Sequence, residues 1–284
     1  MYRIYGNSFD LIICGRRLVP GLETRFSGSV PENYDRRLGP FIFEHYARQM
    51  AKRCGALNPR HVLETAAGTG IVSKRVRQCI APDCSLLATD LNQPMLDYAA
   101  SKLGANGAID FAVADACQLP FDDGRFDAVV CQFGVMFYPD RQASYSEAFR
   151  VLKPGGSYLF SVWDTWAENP FAQIAFDVGA EFCADDPPSF YKVPFCYNDV
   201  DAITLALDHA GFANCNIERL PHTQALFDVN LFARGIVDGN PLGEELLERG
   251  VEPKTVRNRI SQALQDRLGD KMPLQAIFVA ARKN

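Results

Sequence analysis

His61-Val62-Leu63-Glu64-Thr65-Ala66-Ala67-Gly68-Thr69-Gly70, with Thr89-Asp90 twenty residues further on, is the stretch around which this chain is organised. A short apolar strand that ends in a carboxylate and runs into a Gly-rich turn brings bare backbone amides up to a ligand at a helix N-terminus. The helix is predicted to start near Ile71, with Val72, Val76, Cys79 and Ile80 on one face. Leu86-Leu87-Ala88-Thr89 forms a second apolar run, and Asp90 ends it where a carboxylate can take both hydroxyls of a ribose. Two strand-end acids of this kind point to a nucleotide-like ligand.

Beyond this stretch strands and helices alternate. Further strands are predicted at Phe111-Ala112-Val113, Phe126 to Cys131 and Tyr158 to Val162, a sixth at Cys215 to Glu218 and a seventh at Ala276 to Ala280. Helices fall between most of them, from Pro94 to Leu103, from an Asp140 cap to Leu152, from Phe171 to Cys183, and from an Asn198 or Asp199 cap to Gly211. Short, nearly all-apolar strands separated by helices mean a parallel sheet covered on both faces. An amphipathic helix carrying Phe43, Tyr46, Ala47, Met50, Ala51 and Cys54 is predicted from Pro40, ahead of the first strand. Residues 1–30 carry no periodic signal, and Ser27-Gly28-Ser29 with Pro31 reads as a linker, so this arm is expected to lack ordered elements.

At 284 residues and 48% hydrophobic content the chain can bury a sizeable core. A net charge of −5 advertises no basic surface, so neither nucleic acid nor an anionic membrane is an expected partner. The nine cysteines are scattered with no CxxC pair, which reads as reduced thiols rather than a disulfide framework or a zinc site; no metal is expected. No apolar run approaches the roughly 18 residues that span a bilayer. The first residues resemble a signal peptide only faintly, since Asp10 interrupts them, and a cytoplasmic location is expected.

In their order these motifs resemble the class I S-adenosylmethionine-dependent methyltransferases of the small-molecule type, from about residue 31 to the C-terminus. Glu64-Thr65-Ala66-Ala67-Gly68-Thr69-Gly70 is similar to the family's acidic-x-Gly-x-Gly-x-Gly loop, with Ala66 in place of the first glycine, as in the quinone-biosynthesis branch. The resemblance implies that Asp90 holds the ribose hydroxyls, that Leu91 and Met95 line the adenosine, and that Asp115-Ala116 meets the adenine. It places Gln132 and Phe133 near the methyl donor and Leu152-Lys153-Pro154-Gly155-Gly156 at the entry to the fifth strand. The implied fold is a Rossmann-like α/β, seven-stranded and mostly parallel sheet with helices on both faces, the last strand antiparallel, and a helical lid inserted. A nicotinamide-dependent dehydrogenase would need a glycine at position 73, which is Ser73, and gives Glu64 no role. A domain that binds the nucleotide but serves as a scaffold or sensor remains as a non-enzymatic alternative.

The lid is expected from segments 31–55, 163–197 and 221–271, where Tyr34, Phe41, Phe43, Trp163, Trp166, Phe190, Tyr191, Phe195, Phe227 and Phe232 lie, with Phe133, Met136 and Phe137 beneath. Tyr34, Phe41, Phe137 and Trp163 are the candidate substrate-pocket residues, and their chemistry favours an apolar or aromatic small-molecule acceptor. O-methylation is the first expectation and C- or N-methylation of a quinone-type compound or amine the second. A sulfonium methyl is already activated, so no acid or base is obligatory; if a hydroxyl is the acceptor, His222 is the candidate base, ahead of His45 and Asp164. Cys131-Gln132-Phe133-Gly134 lacks the Asn/Asp-Pro-Pro-aromatic pattern of enzymes that methylate nucleic-acid amines. The sequence leaves the oligomeric state open.

Overall fold

Five apolar runs become five parallel strands at the centre of the molecule. The computed structural model describes residues 26–104 and 107–284, together with the backbone of a two-residue antiparallel pair, β1 (Ile12–Ile13) and β2 (Arg16–Arg17). The seven-stranded sheet comprises β3 (His61–Glu64), β4 (Ser85–Asp90), β5 (Asp110–Val113), β6 (Phe126–Gln132), β7 (Leu152–Trp163), β8 (Ala213–Ala225) and β9 (Lys271–Arg282). Their order is β5-β4-β3-β6-β7-β9-β8. Strands β3 to β7 run parallel, while β9 is inserted antiparallel between β7 and β8, so β8 points the same way as the first five. Val129 and Val130 of β6 point to opposite faces and neither is exposed, so the sheet is covered on both sides, as the continuous apolar run requires.

The helices are α1 (Val30–Asn33), α2 (Glu44–Ala56), α3 (Ile71–Cys79), α4 (Gln93–Leu103), α5 (Arg141–Val151), α6 (Pro170–Phe182), α7 (Val200–His209), α8 (Val229–Asp238), α9 (Leu242–Glu248) and α10 (Pro253–Leu268). Asp140 and Asp199 cap α5 and α7 by accepting backbone N–H bonds, in line with the sequence. Val72 and Val76 of α3 are buried as expected, but Cys79 at its end is exposed.

Two expectations change. The first concerns the helix predicted from Pro40. It extends back through a π segment (Tyr34–Phe43) into α1, so that Ser29 and Pro31, two residues of the stretch read as a linker, instead form its N-cap and first turn. Proline is at home in the first turn of a helix, where its missing N–H costs nothing. Pro40, further in, has no N–H to give and its ring crowds the preceding turn. There the helix widens, and Glu44 N–H bonds to the Gly39 carbonyl five residues back. Of the arm expected to lack ordered elements, residues 12–13 and 16–17 form the β1–β2 pair and Phe26 packs edge-on against Tyr34, while its other residues before 26 lie outside the described residues.

The second concerns β8, which the sequence places at Cys215 to Glu218 but which extends from Ala213 to Ala225. It lies at one edge of the sheet, and half-buried and exposed residues alternate along it instead of forming an apolar run. Its register against β9, from Ala213 opposite Arg282 to Ala225 opposite Lys271, marks its true length. Residues 221–225 and Lys271 therefore belong to the sheet, and the helical insertion occupies 226–270. Among the described residues no cysteine is bridged, no group of three or more metal-ligating side chains exists, and no helix is long and apolar enough to cross a membrane.

Candidate active site

The strand order reverses direction between β3 and β6, and ligands of open α/β sheets bind at the carboxyl ends of strands beside such a switch point. There β3 ends in Glu64 and the chain turns through residues 65–70 into α3. Ala66, Gly68 and Gly70 all take left-handed φ values, of 52°, 56° and 76°. A side chain on Gly70 would meet Leu103 Cδ1 at 2.8 Å and Ala99 Cβ at 3.1 Å, so glycine is what lets the turn pack on α4. Ala66 adopts its conformation with a methyl group, which lies where a Cβ on Gly134 would come within 2.5 Å. The bare Gly134 backbone thus makes room for the alanine that departs from the usual glycine.

Asp90 joins this turn to β4. Its Oδ2 accepts the Gly68 N–H at 2.7 Å and its Oδ1 the Asn92 N–H at 2.8 Å. Asn92 Nδ2 also donates to Oδ1, at 3.3 Å, so Oδ2 keeps the freer lone pair; the carboxyl lines a cavity at the strand ends, and burial raises its pKa. Asp115 is held by the Cys117 N–H on Oδ1 at 2.8 Å.

The cavity has a volume of about 310 Å³. Ala66, Gly68, Asp90, Leu91, Met95, Asp115, Ala116, Gln132, Phe133, Tyr34, Phe137 and Trp163 all line it, and so the structure brings together most of the residues singled out in the sequence. Phe133 stacks flat on Trp163 with centroids 3.9 Å apart, and Tyr34 stacks on Phe43 at 4.6 Å. The widened π segment supplies Tyr34, Leu38, Ile42 and Phe43 from one face. Phe190, Tyr191 and Phe195, from the expected lid segment 163–197, close another side. Gln132 Oε1 is buried without a hydrogen-bond partner, while its Nε2 donates to the Phe43 carbonyl at 3.4 Å.

Five expected site residues stand elsewhere. Glu64 is buried beneath the turn, its Oε2 has no partner, and burial pushes its carboxyl up to about 8, with Ser73 pulling down and Asp90 adding to the rise. Thr69 turns its hydroxyl away to Asp35 at 2.9 Å, and Gly70 serves packing. Phe41 faces the opposite side of the π segment, stacked on Phe227 at 4.5 Å and packed on Phe232. His222 is a strand residue paired with Leu274, its ring stacked on His45 at 3.7 Å, and neither histidine lines the cavity. The sequence placed His222 at the start of a loop because the polar alternation of β8 hides a strand. Asp164, the remaining candidate base, is tied to Arg219 Nε at 3.1 Å and Gln275 Nε2 at 2.8 Å.

Some wall residues have no signal of their own in the sequence. Asn92 and Ala114 accompany residues that the motifs mark, and neighbourhood could have found them; Phe171, Pro194 and Asn240 arrive only through packing of distant segments.

Residues 63–160 match the family described as "Methyltransferase domain". Over 215 residues the chain is 30% identical to the ubiquinone/menaquinone biosynthesis C-methyltransferase of Bartonella quintana, covering 68% of this chain and 81% of that protein. The chain belongs to the class I S-adenosylmethionine-dependent methyltransferases. This methyltransferase is also 36% identical over 150 residues to the demethylmenaquinone methyltransferase of Deinococcus radiodurans, over 51% of its own length and 62% of the relative's. Its fold resembles that of the YcgJ protein of Bacillus subtilis, with a TM-score of 0.56 at 18% identity, covering 84% of this chain and 99% of that one. It also resembles phosphoethanolamine N-methyltransferase 2 of Haemonchus contortus in complex with S-adenosyl-L-methionine, with a TM-score of 0.61 at 17% identity, covering 93% and 59%.

The donor set of the methyltransferase's cavity suits its cofactor. Asp90 and Asp115 offer carboxylate acceptors at two strand ends, and Met95 and Leu91 offer apolar surface beside Asp90. Above Gly68 only the Met95 terminal methyl comes near, so the backbone there is open to a ligand.

Proposed function

We propose that the enzyme transfers a methyl group to a ring carbon of a small, uncharged aromatic acceptor that carries a phenolic or enolic oxygen, of the hydroquinone kind. The observation that carries this reading is the composition of the cavity wall, which holds many aromatic side chains but no lysine, arginine or histidine among the described residues. No side chain there pairs with a phosphate or a carboxylate. The hydroxyls of Tyr34, Tyr138 and Tyr191 are all pushed up, chiefly by burial, and therefore remain protonated donors rather than bases. O-methylation of a neutral hydroxyl needs a base. An electron-rich ring carbon can attack before any proton is removed, and the ring proton that the methyl displaces leaves afterwards to solvent as the ring regains aromaticity; the name of one relative, a quinone-biosynthesis C-methyltransferase, supports carbon as the acceptor atom.

In this reading the Asp90 carboxylate takes the ribose hydroxyls, and Asp115 with Ala116 meets the adenine. Leu91 and Met95 hold the adenosine, and Ala66 and Gly68 let the backbone approach it. Gln132 and Phe133 flank the transfer path. S-adenosylmethionine, when bound, supplies a methyl on a cationic sulfur that leaves as a neutral thioether. The protein's part is alignment and exclusion of water, and the stacked Phe133–Trp163 pair with Tyr34 and Phe137 forms the surface on which a planar acceptor can be held. The three segments around the cavity, 31–55, 163–197 and 226–270, act together as a lid.

The test is transfer from donor carrying a 13C-labelled methyl to a panel of hydroquinones, phenols and amines, read by NMR. Ring-methyl product supports the reading, whereas exclusive methoxy or N-methyl product refutes it.

A further inference from the structure

We infer that Tyr191 and Asn240 form the polar anchor that recognises an oxygen of the acceptor, and so set its specificity; this rests on the aromatic-acceptor reading above. Both line the apolar cavity, and they come from different lid segments, Tyr191 from the turn before α7 and Asn240 from the Gly239-Asn240-Pro241 link between α8 and α9. Asn240 is 4% exposed and Tyr191 5%. Asn240 Nδ2 donates to the Tyr191 hydroxyl at 3.0 Å, and the hydroxyl donates onward to the Ile236 carbonyl at 3.3 Å. Asn240 Oδ1 accepts the Leu242 N–H at 3.0 Å.

This wiring fixes what the pair can still do. The carboxamide oxygen is committed to the backbone, which sets the orientation of the amide and leaves the second Nδ2 hydrogen as a donor. The Tyr191 hydroxyl has spent its proton and keeps one lone pair. Burial raises the tyrosine's pKa, so it stays neutral and holds that arrangement. A donor N–H beside a hydroxyl lone pair matches one ligand group above others, a neutral hydroxyl or enol, which accepts from Asn240 and donates to Tyr191.

The anchor is rigid because its link is packed from behind. A side chain on Gly239 would meet the Tyr34 backbone nitrogen at 3.1 Å, and Asn33 Nδ2 donates to the Asp238 carbonyl at 3.2 Å. Tyr34 and Tyr191, on two sides of the cavity, are thereby held to one frame. A buried polar pair with spare capacity, set among Phe171, Phe190 and Phe195, discriminates strongly against a ligand that leaves it unpaired.

The experiment uses the full chain saturated with S-adenosylhomocysteine, titrated with 1-naphthol and with naphthalene and followed by tryptophan fluorescence, since Trp163 lines the cavity. Water solvates naphthol better than naphthalene, so any preference for naphthol reports a hydrogen bond made by the protein. The wild type is expected to prefer naphthol by about tenfold or more. Tyr191→Phe keeps the ring, and Asn240→Leu keeps the approximate size while removing both the N–H donor and the amide oxygen. Each is expected to reduce the preference to about twofold or less, with the affinity for S-adenosylhomocysteine unchanged. Equal binding of the two rings by the wild type, or a preference that persists in both variants, overturns the anchor. If neither ring binds the wild type, the aromatic-acceptor reading itself falls and the anchor falls with it.

Discussion

Replacing Glu64 by glutamine should make the ligand-free protein more stable at alkaline pH and leave it almost unchanged at acid pH. Glu64 is 1% exposed, one of its oxygens has no partner, and burial lifts its carboxyl from an ordinary 4.5 to about 8. In the unfolded chain the group ionises near 4.5, so between 4.5 and 8 the unfolded state binds fewer protons than the native one. Stability contributed by the raised carboxyl is therefore complete below 4.5 and is lost as pH climbs through 8. Taken at full value the difference is on the order of 5 kcal/mol, and relaxation with water entry brings the expected loss to roughly 2–4 kcal/mol. Glutamine keeps the shape and does not titrate. Urea unfolding of both proteins at pH 5 and pH 8.5 should show a gap in favour of Glu64→Gln that opens only at the higher pH. A gap of the same size at both values would falsify the buried neutral carboxyl.

Asp90→Ala should lower S-adenosylhomocysteine affinity by about 100-fold, since charge-assisted bonds to two hydroxyls are lost; near-normal affinity by calorimetry would place the ribose elsewhere. His222→Ala should leave the pH profile of kcat/KM unchanged, because the ring stacks on His45 outside the cavity; loss of an alkaline or acid limb would restore it as a base. Ala66→Gly should stabilise the fold by up to about 1 kcal/mol in urea, as the left-handed φ of 52° strains alanine and not glycine; a loss of stability would show that the methyl packing over Gly134 outweighs the strain.

The parts of the site that the sequence shows are those in which backbone chemistry and local order coincide. Glu64, Gly68 and Asp90 are recognisable because a strand end, a turn that needs positive φ and a second strand end follow within one βαβ unit, and each leaves a local mark. The acceptor side is different. Trp163 and Phe137 could be placed by their neighbours, but Phe41 and Phe43, two residues apart on the same segment, could not be told apart. The widening at Pro40 turned one toward the cavity and the other toward Phe227. His222 was misplaced because half-buried and exposed residues alternate along β8, which therefore shows no apolar run.

Sequence by itself determined the α/β class, the parallel centre of the sheet, the turn after β3 and the carboxylates that face the cavity, because periodicity, glycine at strained positions and strand-end acids act over a few residues. Only the tertiary structure decided which aromatics form the pocket, where β8 ends, that His222 stands outside the site, and that Asn240 meets Tyr191 across 49 positions of chain. Those choices depend on which surfaces remain uncovered once distant segments have packed, and no local pattern carries that information.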